Sequence, residues 1–325
     1  MKKKQRILVI ILAVVVGVAL VKNQLIKLTI TTVGASVVGA PIKVRHFSIS
    51  FLTQRVHIKG FQLYNPKGFP KEPMVDIEEI AVNYNLFALL QGKLHLPLIV
   101  FDMKEMVIIK DKDGNLNVDS LKVAQAADKA DKKETPKEQK KKEKPQELAM
   151  QIDLMKLNIG QVVYKDYTKG ETPVVNVYDV GIKDKEYRNI TSAQQMAANI
   201  MVAGLGPTAI KSAKIYAAAT ILGVGFLPVG VAGLLISDDD SQASFNKSVN
   251  QVFAAAVKLF QEIGQLKSED KSSGVIKASV DGTDITMQIG RADNKTKVVV
   301  AARKMMIPKP QAAAGIIRQL SEKLK

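Results

Sequence analysis

The chain has no cysteine and no tryptophan, only three histidines, and 5% aromatic residues. Without cysteine there can be no disulfides, no thiolate metal sites and no cysteine nucleophiles. That absence does not separate cytoplasm from envelope, since proteins of either compartment fold without such staples. Acidic residues are outnumbered: 31 Asp and Glu against 47 Lys and Arg leave a net charge of +16. The balance suits anionic partners such as phospholipid head groups or nucleic acid. Nucleic acid is not the expected partner. No basic patch is interleaved with stacking aromatics, and charge alone gives only non-specific attraction.

Residues that could carry chemistry are also few. His46, His57 and His95 have no partner at a spacing that would pair them on one element, so they read as surface or strand-edge histidines. Asp111-Lys112-Asp113-Gly114-Asn115 starts like a calcium loop. Its glycine falls fourth rather than sixth, however, and Lys122 stands where the closing glutamate belongs, so a hairpin turn is expected. Asp238-Asp239-Asp240 reads as an acidic turn capping the next helix rather than a cation site. Gly204-Leu205-Gly206-Pro207 lacks the third glycine of a dinucleotide loop. No catalytic residue, cofactor or metal ligand is expected, and the chain does not read as an enzyme.

What is present begins with Lys2, Lys3, Lys4 and Arg6 before an uncharged run. Ile7, Leu8, Val9, Ile10, Ile11, Leu12, Val14, Val15, Val16, Val18, Leu20 and Val21 form its apolar surface. A basic flank before such a run marks a signal peptide or an uncleaved anchor. No small-x-small site follows, which favours the anchor. At about 1.5 Å per residue the run spans roughly 22 Å, and snorkelling by Arg6 and Lys22 extends it toward a bilayer core of about 30 Å. The basic flank places residues 1–6 in the cytoplasm and the rest outside. This predicts a single-pass inner-membrane protein whose bulk is periplasmic. Leu25–Val38 is expected to continue as a helix.

From Gly39 to Leu121 the pattern changes. Ile42 and Val44 alternate with charged residues, Phe47, Ile49 and Phe51 with polar ones, and Val56 and Ile58 resume after a short break. Alternation of period two places these side chains on one face of a strand. Breaks at Thr53-Gln54-Arg55, Asn65–Pro73 and Asp111–Gly114 mark turns. The expectation is a run of consecutive antiparallel strands with one apolar face.

Residues 124–147 are rich in Lys and Glu, contain two prolines, and are expected to form a solvated linker. Strand patterning resumes over 148–190. Residues 191–240 read as an apolar helical segment with an N-cap at Thr191 or Ser192. Within it Ile215–Ile236 carries no charge and is long enough to cross a bilayer. Its flanking charges are reversed, with lysines before and aspartates after, and its Gly and Pro residues favour a broken helix packed in the protein or the interface. Residues 241–325 read as a small α-β-β-β-α domain able to fold alone. Its first helix runs from Phe245 to Ile263, and its strands are Val275–Val280, Ile285–Ile289 and Val298–Ala302. The whole divides into anchor 1–24, β region 25–123, linker 124–147, continued β region 148–190, helical segment 191–240 and C-terminal domain 241–325.

Several stretches resemble AsmA-like envelope proteins in the order in which they occur. They are Gly39-Ala40-Pro41-Ile42-Lys43-Val44, Ser48–Leu52, Val56–Phe61, Asn65-Pro66-Lys67-Gly68-Phe69, Leu86–Leu90 with Lys93-Leu94, and Asp113–Asn117 with Leu121. The resemblance implies a membrane-tethered β-groove facing the periplasm and a part in lipid transport or outer-envelope assembly. The C-terminal domain resembles small envelope lipoprotein domains of unknown function, without their lipidated cysteine. The expected fold is therefore α+β: a single membrane anchor, an antiparallel β-groove and the small C-terminal domain. Phe47, Ile49, Phe51, Val56 and Ile58 are the candidate lipid-groove residues. Membrane phospholipid and envelope proteins are the expected partners, and a non-catalytic tether or scaffold is the alternative role.

Overall fold

The alternation that starts at Ile42 becomes the first strand of a six-stranded sheet. The structure, a computed structural model, describes residues 31, 35, 38–125, 150–224, 240–292, 294–305 and 307–325. Strands β1 (Ile42–Ser50), β2 (Arg55–Tyr64), β3 (Pro73–Asn83), β4 (Leu94–Lys110), β5 (Met150–Asp166) and β6 (Val174–Ile190) lie side by side in chain order. Helix α1 (Leu86–Leu90) joins β3 to β4, and the Asn85 side chain caps it by accepting from the Ala88 N–H. The expected membrane anchor lies outside the described residues. Thr31, Ala35 and Val38, just before β1, are helical and half-buried.

The sheet is not wholly antiparallel, which corrects the expectation. β4 and β5 run parallel, from Leu94 beside Met150 to Lys110 beside Asp166, while the other neighbours are antiparallel. Side chains alternate with period two in either orientation, so the sequence pattern could not tell them apart. A parallel neighbour requires a long crossover, and residues 111–149 supply it. The crossover opens with a turn in which Asp111 Oδ1 accepts from the N–H groups of Asp113 and Asn115, at 2.9 and 2.8 Å. A short 3₁₀ turn, Asn117–Ser120, follows. Val123 and Ala124 are both buried, so the core extends into the first residue of the expected linker. Residues 126–149 lie outside the described residues. Mid-pair, Gly160 lets β5 approach β4 closely, since a Cβ there would sit 2.7 Å from the Lys104 carbonyl oxygen.

Two helices cover the apolar face. α2 (Ala193–Leu205) starts at Ser192, whose hydroxyl accepts from Gln195 N–H, and α3 (Ala213–Ile221) starts at Ser212, which accepts from Ile215 N–H and donates to Asp119. The uncharged run from Ile215 is not one continuous helix. α3 stops at Ile221 and Gly223 turns the chain with φ +66°. Residues 225–239 lie outside the described residues. Among the described residues no helix is long and apolar enough to cross a membrane.

The C-terminal part has more strands than its sequence suggests. It comprises β7 (Asp240–Phe245), α4 (Val249–Ile263), β8 (Gln265–Asp270), β9 (Val275–Val280), β10 (Thr283–Ala292), β11 (Lys295–Lys304), β12 (Ile307–Pro308) and α5 (Pro310–Lys323). The second sheet runs β12-β11-β10-β9-β8, with β7 on β11 as well. Asp240 and Phe245 therefore belong to a strand. The cap of the next helix is Ser248, in a reciprocal capping box with Gln251, and not the acidic turn. β9 and β10 are joined through Asp281 and Gly282, both at positive φ, as that dipeptide predicts. α4 and α5 supply Val252, Phe253, Ala256, Phe260, Ile316 and Leu320 to the second core.

α5 also seats on the first sheet. Gly315 lies so close to β6 that an added Cβ would come 1.7 Å from the Val175 carbonyl oxygen. Arg318 Nη1 donates to Glu105 Oε2 on β4 at 2.8 Å, and Gln319 Nε2 donates to the Pro173 carbonyl at 2.8 Å. Lys169 pairs with Asp281 across the same junction.

Candidate functional site

Strand register turns the alternation into rows that cross the whole first sheet. Val44, Phe61, Ile77, Met103, Ile159 and Ile182 face one another in succession, one from each strand. The row Ile49, Val56, Val82, Ile99, Met155 and Tyr187 is equally complete. Between them lie Phe47, Ile58, Ile80, Phe101 and Leu157, ending at Lys185 on the outer strand. Apolar pairs of this kind, stacked strand after strand, give one continuous hydrocarbon surface.

The five groove candidates fall on or beside this surface, with unequal exposure. Phe47 and Ile58 are direct cross-strand partners and are closed in the core at 5% and 7% exposure. Ile49 and Val56 also pair and are half-buried. Val82, the next member of their row, is half-buried too, while Ile99 and Met155 beyond it are buried. The cover thus thins at one corner, over β1 to β3. Phe51 departs from the expectation: β1 ends at Ser50, and Phe51 opens the β1–β2 turn, about half exposed. A two-residue repeat carries no mark of where the strand stops, so Phe51 looked like a further member of the face.

At the opposite end of the sheet both faces are buried. Met106 and Ile108 face the helices, while Val107 and Ile109 join Val163 and Val175 in a small core on the reverse side. Asn117 is fully buried there and uses all its hydrogen-bonding capacity. Its Oδ1 accepts from the N–H groups of Ile109 and Val118, and its Nδ2 donates to Asn65 Oδ1 and the Val107 carbonyl. Asn65 opens one stretch that carries the family resemblance and Asn117 closes another, but the sequence pattern gave neither a role; an Asn amid buried aliphatics is a sign of backbone satisfaction.

Ionisable groups are paired structurally. His57 Nδ1 lies 3.0 Å from Glu79 and His95 Nε2 lies 2.7 Å from Asp153, each across adjacent strands. The hydrogen bond from His95 holds Asp153 below the usual carboxylate range. Burial alone would raise the Glu105 carboxyl, but Arg318 and Gln161 outweigh it and hold it low. Burial pushes the Tyr178 phenol up and that of Tyr187 to about 12. Burial likewise raises Tyr164, helped by Asp166 beside it. These shifts carry carboxylates down and phenols up, away from neutrality in both directions. No group of three or more His, Cys, Asp or Glu residues that could hold a metal occurs among the described residues.

None of the curated proteins matches the chain. The family model of the AsmA family matches residues 1–272. That span takes in all six strands of the first sheet with its covering helices, and it ends after β8 of the second. With most of its length matched, this chain belongs to the AsmA family.

Proposed function

We propose that this AsmA-family protein is a single-pass, inner-membrane-anchored protein of the periplasm. In this reading it shelters lipid acyl chains on the apolar face of its first sheet, in lipid transport or outer-envelope maintenance. The observation that carries the reading is the continuity of the apolar rows across the strands, with Ile49, Val56 and Val82 left half-buried at one corner. A methylene chain gains from contact with such a surface at roughly 0.8 kcal/mol per buried CH₂. Chemistry at the site is not part of the proposal. The resolved shifts leave those carboxylates ionised and those phenols neutral near pH 7, and a general acid or base works best near the operating pH.

In this arrangement the remainder of the face is filled by the protein's own helices, so acyl chains would meet the half-buried corner first. A second reading, a non-catalytic tether or scaffold for envelope proteins, is favoured by the burial of Phe47 and Ile58. The test is a photoreactive phenylalanine analogue placed in the full-length protein in cells, at Val56 or Val82 and at Lys59 as a control. Lipid adducts at the first two sites, with none at Lys59, are expected. Equal adducts at all three, or none at Val56 and Val82, would leave only the scaffold.

A further inference from the structure

Beyond the half-buried corner, the same end of the sheet carries a projecting apolar tip. It is made by the β1–β2 turn and by α1. Leu52 is 98% exposed, Phe87 77% and Leu90 76%, and Phe51 and Leu89 add to the same patch. Large aliphatic and aromatic groups displayed together, rather than scattered singly, mark an interaction surface.

The tip is rigidly built. Gln54, at φ +50°, accepts from the Tyr84 N–H through its carbonyl oxygen and from the Leu86 N–H through its side-chain oxygen, at 3.0 and 2.9 Å. The buried Tyr84 hydroxyl donates to the Ser50 carbonyl at 3.1 Å. These bonds lash the two loops together, and their apolar side chains are left pointing out. Ordering entropy is therefore already lost before any partner arrives.

Its charge is one-sided. No Asp or Glu occurs before Glu72, and none lies between Glu79 and Asp102. Both loops of the tip fall inside these acid-free stretches, flanked by the exposed Arg55 and Lys93. On the neighbouring strands, Asp153 is bonded to His95, and Glu186 to Arg188 and Lys156. Apolar side chains above a cationic collar fit a surface of hydrocarbon beneath anionic head groups. Each exposed cation near such a surface adds attraction.

We propose that this tip inserts into the anionic phospholipid bilayer that holds the protein's own N-terminal apolar run. Ala35 lies near Pro66 and Gln125, at the end of the sheet away from the tip. Even the ten steps from Val21 to Thr31 alone can reach about 33–36 Å at full extension, more than the roughly 27 Å between the ends of β1, so the tether is long enough for the tip to meet its own membrane. Tethering raises the effective concentration of that bilayer over any other. The inference goes beyond acyl-chain shelter and survives or fails independently of it.

The native absence of cysteine makes the test direct. Full-length Leu52→Cys, Phe87→Cys and, as a control in the turn at the far end, Asp113→Cys are labelled with an environment-sensitive nitrobenzoxadiazole probe. Each is reconstituted into phosphatidylethanolamine–phosphatidylglycerol vesicles carrying spin-labelled acyl chains. Probes at 52 and 87 should shift to the blue and be quenched several-fold more than the probe at 113. Adding Arg55→Gln and Lys93→Gln, or using phosphatidylcholine alone, should reduce that quenching. Water-like emission at 52 and 87 overturns the proposal. So does a blue shift without quenching, which would mean a protein covers the tip, or quenching only by lipids of a second vesicle population. Equal quenching in phosphatidylcholine overturns the anionic assignment. Leu52 is almost wholly exposed, so its replacement leaves folding intact, and a thermal melt checks this.

Discussion

Replacing Arg318 by methionine removes the cation at the junction of the two sheets and keeps most of its apolar stem. In the native protein the guanidinium donates to both oxygens of Glu105, at 2.8 and 3.2 Å, with side-chain exposures of 24% and 17%. Deleting one partner of a fully buried pair costs about 3–5 kcal/mol, because the other charge stays buried without compensation. Water reaches both side chains here, so the expected cost is about 2 kcal/mol. The loss falls on the contact of α5 with β4 and β6, and native-state hydrogen exchange can read it locally. Amides of α5 that exchange through undocking should do so roughly 30-fold faster at pH 7. The sign with pH follows from Glu105, whose carboxyl is held low in the folded protein. A depressed carboxylate contributes stability that is present above its unfolded value of about 4.3 and is lost as pH falls through the folded value. In the variant, burial acts without the counter-charge, and the same carboxyl takes up a proton more readily. The unfolded chains titrate alike, so the stability gap between parent and variant should narrow as pH falls from the variant's folded value toward the lower one of the parent. Exchange in α5 within twofold of the parent at pH 7, or a gap that does not change with pH, would refute the assignment of the junction to this pair.

Gly315→Ala drives a methyl group into the Val175 carbonyl; α5 must move away, and its protection should fall further than in Arg318→Met. Asn117→Ala strands the Ile109 N–H and the Val107 carbonyl in a dry environment. A loss of about 2–4 kcal/mol in denaturant unfolding is expected from unsatisfied groups of that kind. Phe47→Ala should cost about 3–5 kcal/mol, since Phe47 is closed in the core. Ile49→Ser, at a half-buried position, should cost only about 1 kcal/mol, and similar losses for both would mean that the corner is closed. Alkaline phosphatase fused after Leu121 should be active outside the cytoplasm, and an inactive fusion would overturn the topology drawn from the basic N-terminal flank.

The first sheet was legible because most of one face is buried, which favours apolar residues at every second position within each strand, as in Phe47-Ser48-Ile49 and Val56-His57-Ile58. The parallel pairing of β4 and β5 was not legible, since orientation leaves the period unchanged. β7 and β8 were missed for another reason. Asp-Ser-Gln-Ala-Ser-Phe and Gln-Leu-Lys-Ser-Glu-Asp lie at sheet edges and bury little, and their inward positions are mostly small or polar, so they carry almost no apolar period. The seat of α5 had a readable sign in Ala312-Ala313-Ala314-Gly315, small residues that permit close approach, but the sequence could not say to what. The tip was hidden more deeply. Phe51-Leu52 and Leu86–Leu90 are far apart in sequence, and only the register of β1 to β4 places them side by side.

The parallel junction has a consequence for how the chain comes into being. When β4 has been synthesised, its outer edge has no neighbour until β5 follows, some 56 residues later by the ends at Lys110 and Asp166. At synthesis rates of about 5–20 residues per second the wait lasts roughly 3–11 seconds. Through that interval a long, aliphatic strand presents bare backbone donors and acceptors, the usual start of intermolecular strand pairing. The residues made meanwhile include the lysine- and glutamate-rich stretch 126–147, a composition that disfavours strands. The distance between β4 and β5 along the chain is thus also a delay, filled by sequence unsuited to pairing with the waiting edge.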